Sequence, residues 1–326
     1  MNTPRRILLT GGAGFVGTRL APRLAGAFPN AERVLLVRCD DGDNQATPGW
    51  RTEVGDVVDR ETMAELVASL RPDLIVHLAA QASVGSSASH AAVTWEVNFG
   101  GVYALARACA RAKLPTTLLF ASSGEVYGRS FLAGPVDEDA PLQPVNAYAR
   151  SKAAAEGALH DLMPQEARII VARAFNHTGA GQDARFVIPS FAKQIAAIEQ
   201  GLQAPTIQVG NLDAARDFLD VGDVCDAYLR LIAQADVLPH RATFNIASGR
   251  AYRVGDLLAR LQRLASCDFA VEIDPLRLRP IDIPRAVGVN DRLRAAIGWM
   301  PTTPIARTLE DVLNGARWTL RASNAV

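Results

Sequence analysis

A chain of 326 residues in which hydrophobic side chains make up 49% can bury a large core, and its length exceeds one compact domain, so a large domain with a smaller one is expected. Lysine plus arginine equals aspartate plus glutamate at 34 each, which leaves no basic field for a phosphate backbone and argues against nucleic acid as a partner. Cys39, Cys109, Cys225 and Cys267 form neither a CxxC pair nor a disulfide framework, no apolar run reaches the ~18 residues of a membrane span, and Met1 to Arg6 run into a strand-like segment without a signal-peptide core. A cytoplasmic protein with no metal centre and no membrane association is expected.

The first apolar run, Ile7 to Thr10, leads into Thr10-Gly11-Gly12-Ala13-Gly14-Phe15-Val16-Gly17, a GxxGxxG spacing followed by a helical pattern. A strand turning sharply into a helix presents unpaired N–H groups and a partial positive charge, and glycines let a pyrophosphate approach the backbone. Gly11, Gly14, Phe15, Val16 and Gly17 are therefore dinucleotide-binding candidates, against the alternative of a glycine-rich turn with no ligand. A second run, Arg33 to Val37, ends at Arg38, where a site selective for NAD would offer an acid to the adenosine ribose. Arg38 can pair with a 2′-phosphate instead, so NADP(H) is favoured and NAD(H) remains possible, with Asp40 and Asp41 weakening the preference. Asp56 and Val57 follow a further strand, and Leu78, Ala79 and Ala80 end the run from Asp73, both where strand ends would face a dinucleotide; Asp56 can accept from the adenine amino group or be a solvated loop aspartate.

A helix is expected from Ala91 to Lys113 and another from near Asn146 to Leu162, with strands at Thr116 to Ser122 and Arg168 to Phe175. Short, nearly continuous apolar strands alternating with amphipathic helices describe a doubly wound parallel sheet covered on both faces, a Rossmann arrangement over 1–175. The residues 176–326 form mainly a smaller C-terminal α/β substrate-binding lobe, with segments near 212–247 returning to the first domain. Within the lobe, helices are expected from Ile188 to Glu199 and from about Pro304 to Leu320.

Tyr148 and Lys152 stand one helical turn apart. With five tyrosines and three lysines in the chain, a chance Tyr-x-x-x-Lys is expected about 0.05 times. An ammonium beside a phenol pulls down its pKa, so that Tyr148 can exchange a proton with a substrate oxygen, while Lys152 can also bind the nicotinamide ribose. Upstream, Ser122-Ser123-Gly124-Glu125-Val126-Tyr127-Gly128 follows a buried strand, and Ser123 can polarise a reacting carbonyl.

The glycine loop, the Ser-Ser-Gly-Glu-Val-Tyr-Gly segment and Tyr148-x-x-x-Lys152 resemble the extended short-chain dehydrogenase/reductase family, whose members act on nucleotide sugars. The resemblance implies Ser123, Tyr148 and Lys152 as the catalytic set. In the second half, Arg173 to Gln182, Phe191 to Ile195, Val209 to Leu212, Arg216-Asp217-Phe218 and Pro275 to Pro284 are similar to the GDP-4-dehydro-6-deoxy-D-mannose reductases within it. It further implies Asn176, Lys193, Arg216 and Arg279 as contacts to a nucleotide diphosphate and Asp282 as a ribose contact, with Gln81 and Ser83 as weaker candidates for the hexose. The expectation is hydride transfer from a nicotinamide cofactor to the 4-keto group of a GDP-linked deoxyhexose. A GDP-mannose 4,6-dehydratase stays open through the carboxylate of Glu125, as does another nucleotide-sugar epimerase or dehydratase, and a non-catalytic NAD(P)-binding regulator is the more distant alternative. A homodimer is expected through the helices from Ala91 and Asn146, with Ala104, Ala108, Ala153, Ala154 and Ala158 on the outer faces.

Overall fold

The computed structural model describes residues 3–38, 47–82, 90–278 and 283–324. Strands β1 (Arg6–Thr10), β2 (Glu32–Val37), β3 (Arg51–Val54), β4 (Leu74–His77), β5 (Thr117–Ser123) and β6 (Arg168–Ala174), with Arg241–Ile246 at one edge, make a seven-stranded sheet. Its order is Arg241–Ile246, β6, β5, β4, β1, β2, β3, and every pairing is parallel. The order reverses between β1 and β4, which opens a crevice at the carboxyl ends of those strands, the usual ligand site of such a sheet.

Both faces are covered, which is why β1 and β4 carry unbroken apolar runs. Helices α1 (Gly17–Ala27) and, later, Val221–Ala233 pack one face; α2 (Arg60–Leu70), Gly101–Arg111 and Ala147–Leu162 pack the other. Caps fix several starts: Asp59 accepts from the amides of Glu61 and Thr62, and Asn146 from that of Ala149. The helix expected from Ala91 to Lys113 is interrupted. Helix α3 (Ala91–Trp95) passes through a π-helical turn, Glu96–Gly100, into α4 (Gly101–Arg111). That turn brings Asn98 inward to full burial, and π turns of this sort recur at functional sites. Ala104 and Ala108, expected on an outer face, are 2% and 5% exposed and belong to the core under α2, because α4 turns that side toward β4 and β5.

After α5 (Ala147–Leu162), strand β7 (Asn176–Thr178) leaves the main sheet. Helix α6 (Val187–Glu199), strand β8 (Thr206–Val209) and strand β9 (Ala215–Asp220) follow, then α7 (Val221–Ala233) and β10 (Arg241–Ile246), the edge strand named above. Strands β11 (Ala251–Arg253), β12 (Ala270–Ile273) and β13 (Arg285–Ala286) complete the small sheets: β9 lies between β11 and β13 and also pairs β7, and β12 pairs β8. Helices α6, α8 (Val254–Leu264) and α10 (Ile305–Asn324) surround a separate apolar cluster with Leu309, Val312 and Leu313 inward. Helix α9 (Asp291–Ile297) and Trp299 instead pack with α1 and α7 against the main sheet.

Candidate active site

Gly11 has φ +71°, and a Cβ there would lie 2.6 Å from the amide nitrogen of Ala79. A Cβ on Gly17 would lie 2.3 Å from the Gly11 carbonyl oxygen. The turn therefore closes only with glycine at both places, while Gly14 between them is exposed. Helix α1 begins without a side-chain cap and without an acidic residue in its first turn; the Thr18 and Arg19 amides donate to the Gly14 and Val16 carbonyls, and the positive end of the helix beside the glycine loop is open to an anion. A cradle of bare backbone beside an uncapped helix start fits the pyrophosphate of a dinucleotide. Phe15 stacks on His177 at 6.3 Å, and Arg19 sits over the Phe15 ring and donates to the Ala180 carbonyl. These contacts fasten the loop to β7 and the residues after it.

Arg38, exposed at the end of β2, and Asp56, half-buried after β3, lie along the same edge. One Asp56 carboxylate oxygen accepts from the Val58 amide at 3.1 Å. Val57 is buried against Gly101, and Leu78, Ala79 and Ala80 follow β4, with the Leu78 amide donating to the Thr10 carbonyl.

Ser123 ends β5, and Tyr148 and Lys152 reach it from α5. The Ser123 hydroxyl acts on the Tyr148 phenol, and Ser123 Oγ accepts from the Glu125 amide at 3.2 Å. Lys152, 2% exposed, donates to the Ala121 carbonyl at 2.7 Å and stands 4.8 Å above the Phe120 ring. The expected lowering of the Tyr148 pKa by Lys152 is not found. Burial pushes the phenol up to about 12, with Ser123 acting the other way and the Glu125 charge adding to the rise. Lys152 points its ammonium at the strand end, and burial pulls it down to about 7 against the charge of Glu156. The hydroxyl of Tyr148 is thus a held proton at neutral pH.

A small pocket brings Ser123 and Glu125 together with Asn176, Arg216 and Asp217 under Phe131 and Phe175. Arg216, 8% exposed, donates to the carbonyls of Ala215 and Ile283 at 2.9 and 2.7 Å. Lys193 is not among the lining residues; it lies on the exposed face of α6, with its charge acting on Asp183. Gln81 is joined to the site by its backbone, its amide donating to Asn98 Oδ1 at 2.7 Å. Ser83, Arg279 and Asp282 lie outside the described residues.

Three features escape the sequence reading. Asn98 Nδ2 donates to Gln81 O and to Ser151 Oγ, and Ser151 donates to the Tyr148 carbonyl, so one buried amide ties the end of β4 to the Tyr148 helix. No spacing rule finds it, because only the π turn aims it inward. Asp217 accepts from the Ser248 amide and hydroxyl and from the amides of Gly249 and Gly288; burial raises its pKa to about 6. Its signal is its place beside Arg216. Glu156 pairs with Arg173 at 2.7 Å, and the signal is a further four-residue step after Tyr148 and Lys152.

Residues 8–312 match the model of the family described as GDP-mannose 4,6 dehydratase. The chain belongs to that family, within the extended short-chain dehydrogenases/reductases. It is 35% identical over 315 residues to the GDP-6-deoxy-D-mannose reductase of Pseudomonas aeruginosa, covering 95% of this chain and 96% of the relative. It is 27% identical to a UDP-glucose 4-epimerase of Rhizobium meliloti, covering 94% and 96%. Among solved structures, RMD from Pseudomonas aeruginosa complexed with NADPH superposes with a TM-score of 0.81 at 34% identity, over 97% of this chain and 99% of that one. A UDP-glucose 4-epimerase of Thermus thermophilus in complex with NAD has a TM-score of 0.81 at 27% identity, covering 96% and 99%. The fold expected from the sequence is the fold found, and this family member is an NAD(P)-dependent enzyme of nucleotide-sugar chemistry.

Proposed function

We propose that this enzyme reduces the 4-keto group of a GDP-4-dehydro-6-deoxyhexose with NADPH, giving a product of the GDP-6-deoxy-D-mannose type. The observation that carries the reading is Ser123, which acts on the buried Tyr148 phenol, lining one pocket with Asn176 and Arg216, in a chain 35% identical to a reductase of that name. Gly11, Gly14, Phe15, Val16 and Gly17 would hold the pyrophosphate of the cofactor, Arg38 its 2′-phosphate, and Asp56, Val57, Leu78, Ala79 and Ala80 the adenosine side. When bound, the dihydronicotinamide supplies the hydride. Ser123 holds and polarises the keto oxygen, Tyr148 delivers its proton to that oxygen, and Lys152 fixes the nearby ribose. Arg216 offers charge-assisted donors to the substrate diphosphate. NADPH is preferred here, in keeping with the Pseudomonas structure, and the NAD complexes of other relatives leave NADH as a usable cofactor.

The dehydratase reading keeps one observation in its favour, the Glu125 carboxylate in the same pocket. Supplying GDP-4-dehydro-6-deoxy-D-mannose with NADPH and following absorbance at the reduced cofactor's band tests the choice. One NADPH consumed per sugar supports the reductase, and conversion of GDP-mannose without added reductant refutes it.

A homodimer belongs to the same reading. Val93 and Trp95 are exposed on α3, and Trp95, Phe99 and Tyr103 run as an aromatic ladder toward α4, a surface that a second copy would cover. A monomer mass by light scattering at micromolar concentration would reject it. Neither nucleic acid nor a membrane is a partner in this reading. Among the described residues no helix is long and apolar enough to cross a membrane, and the free thiols of Cys109, Cys225 and Cys267 suit a reducing cytoplasm.

A further inference from the structure

Tyr148, Lys152 and Glu156 follow one another at four-residue steps along α5, so one helix face carries a phenol, an ammonium and a carboxylate. The last three residues of β5 meet that face. The Ala121 carbonyl accepts from Lys152 at 2.7 Å, the Ser122 hydroxyl donates to Glu156 Oε1, and the Ser123 hydroxyl acts on the Tyr148 phenol. Behind Glu156 stands Arg173, the register partner of Ser122 on β6. Its Nε donates to both carboxylate oxygens at 3.1 and 3.2 Å, and its Nη2 to Oε2 at 2.7 Å. Arg173 Nη1 continues to the Tyr127 hydroxyl at 2.9 Å, and Tyr127 donates to Asn245 Oδ1, which ties the loop after Glu125 to the same pair.

The two charged side chains are only 8% and 9% exposed. An ion pair buried so deeply adds little stability over apolar groups of the same shape, so stability alone does not account for its place beneath the reacting residues. The groups facing Lys152 show what it does. His77, from β4, is held neutral, with its pKa down to about 3 by burial and by Lys152 itself. Tyr148, on the same helix, stays protonated, and Glu125, from the loop after β5, acts on Tyr148. Arg173, from β6, is engaged by Glu156. Burial works against the Lys152 charge, and Glu156 is the group that favours it.

We propose that Glu156, held by Arg173, is a positioning residue: one turn along α5 from Lys152 it sets a carboxylate behind the ammonium and, through Ser122, fixes the strand end that presents Ser123. The proposal rests on the reading of Ser123, Tyr148 and Lys152 as the reacting set. Its test need not involve the sugar. The chain has three lysines, and Lys113 and Lys193 are exposed, so protein labelled at lysine Cε gives three signals, that of Lys152 being the one lost in Lys152→Met. In the wild type Lys152 titrates below the two exposed lysines. In Glu156→Gln it titrates lower still while the other two stay in place, and the alkaline limb of the kcat profile moves to lower pH. Glu156→Gln leaves the Arg173 charge buried without its partner, so the double variant Glu156→Gln/Arg173→Met is read in parallel and gives the same shift. An unmoved Lys152 titration in either folded variant overturns the proposal. Ser122→Ala keeps the ion pair and leaves the Lys152 titration alone, yet lowers kcat about fivefold, the size of one hydrogen bond, at unchanged KM; an unchanged kcat removes the strand tether. A wild type that shows the lysine shifts but is inert toward the keto sugar overturns the choice of substrate alone.

Discussion

The Ser123 hydroxyl at the carboxyl end of β5 acts on the Tyr148 phenol to favour its ionised form, but burial outweighs it and pushes the phenol up to about 12, so Tyr148 keeps its proton at neutral pH. A proton donor beside a carbonyl-polarising hydroxyl suits a reaction that ends in a new alcohol. Tyr148→Phe removes the donor and leaves the glycine loop untouched. General acid catalysis contributes ~10²–10⁴-fold, so kcat is expected to fall by that order while NADPH binding, followed by its fluorescence, stays near wild type. A variant with near-full kcat would take Tyr148 out of the chemistry.

Arg38 is exposed at the end of β2. An exposed ion pair is worth ~1 kcal/mol or less, so its contribution to NADPH over NADH is expected to be about fivefold. Arg38→Ala should bring the two kcat/KM values toward each other by that factor, chiefly through KM for NADPH. Equal use of both cofactors by the wild type, unaltered in the variant, would leave Arg38 without this role.

The parts of the site set by local rules were readable from the chain. The GxxGxxG spacing marks a turn that Gly11 and Gly17 close by backbone contact, and the four-residue step from Tyr148 to Lys152 marks one helix face. What depends on distant packing was not readable. Lys152 donates to the Ala121 carbonyl, and burial, not the ammonium, sets the Tyr148 pKa. Asn98 enters the site through a π turn that no periodicity announces, and Ala104 and Ala108 face the core because the whole of α4 leans on the sheet.

His77 lies fully buried on β4, its Nδ1 2.9 Å from Thr10 Oγ1, and burial lowers its pKa from 6.5 to about 3. The unfolded chain takes up this proton first as pH falls, so the contribution of His77 to stability is complete above 6.5 and is lost as pH falls toward 3. Asp217, raised from 3.8 to about 6, has the opposite sign: its contribution is complete below 3.8 and is lost as pH rises through 6. The two overlap, so the total profile hides each. Comparing wild type with His77→Gln separates them. The gap in Tm between the two proteins should be largest above pH 6.5 and narrow steadily toward pH 4; a gap independent of pH would mean that His77 does not titrate this way.

Glu125 decides between the two reactions this pocket can support, since its carboxylate shares the cavity with Ser123, Asn176 and Arg216. In a dehydratase a carboxyl group must exchange protons at C5 and at the C6 hydroxyl, and the cofactor is recycled within each turnover. A reductase consumes reduced cofactor stoichiometrically and needs one proton for the 4-oxygen, which Tyr148 carries. The Glu125 amide already serves the site by donating to Ser123 Oγ at 3.2 Å, a contact that a change of side chain does not remove. Glu125→Gln keeps size and polarity and loses only the ability to exchange a proton. With GDP-4-dehydro-6-deoxy-D-mannose and NADPH the variant is therefore expected to retain a measurable rate, its kcat reduced about tenfold or less and most of the effect lying in KM for the sugar, since a hydrogen bond to a charged acceptor is worth ~1.5–3 kcal/mol and an amide replaces part of it. GDP-mannose without added reductant should be inert with both proteins. Formation of a 4-keto-6-deoxy sugar from GDP-mannose by the wild type, abolished in Glu125→Gln, would assign the carboxylate to elimination and reverse the order of the two readings.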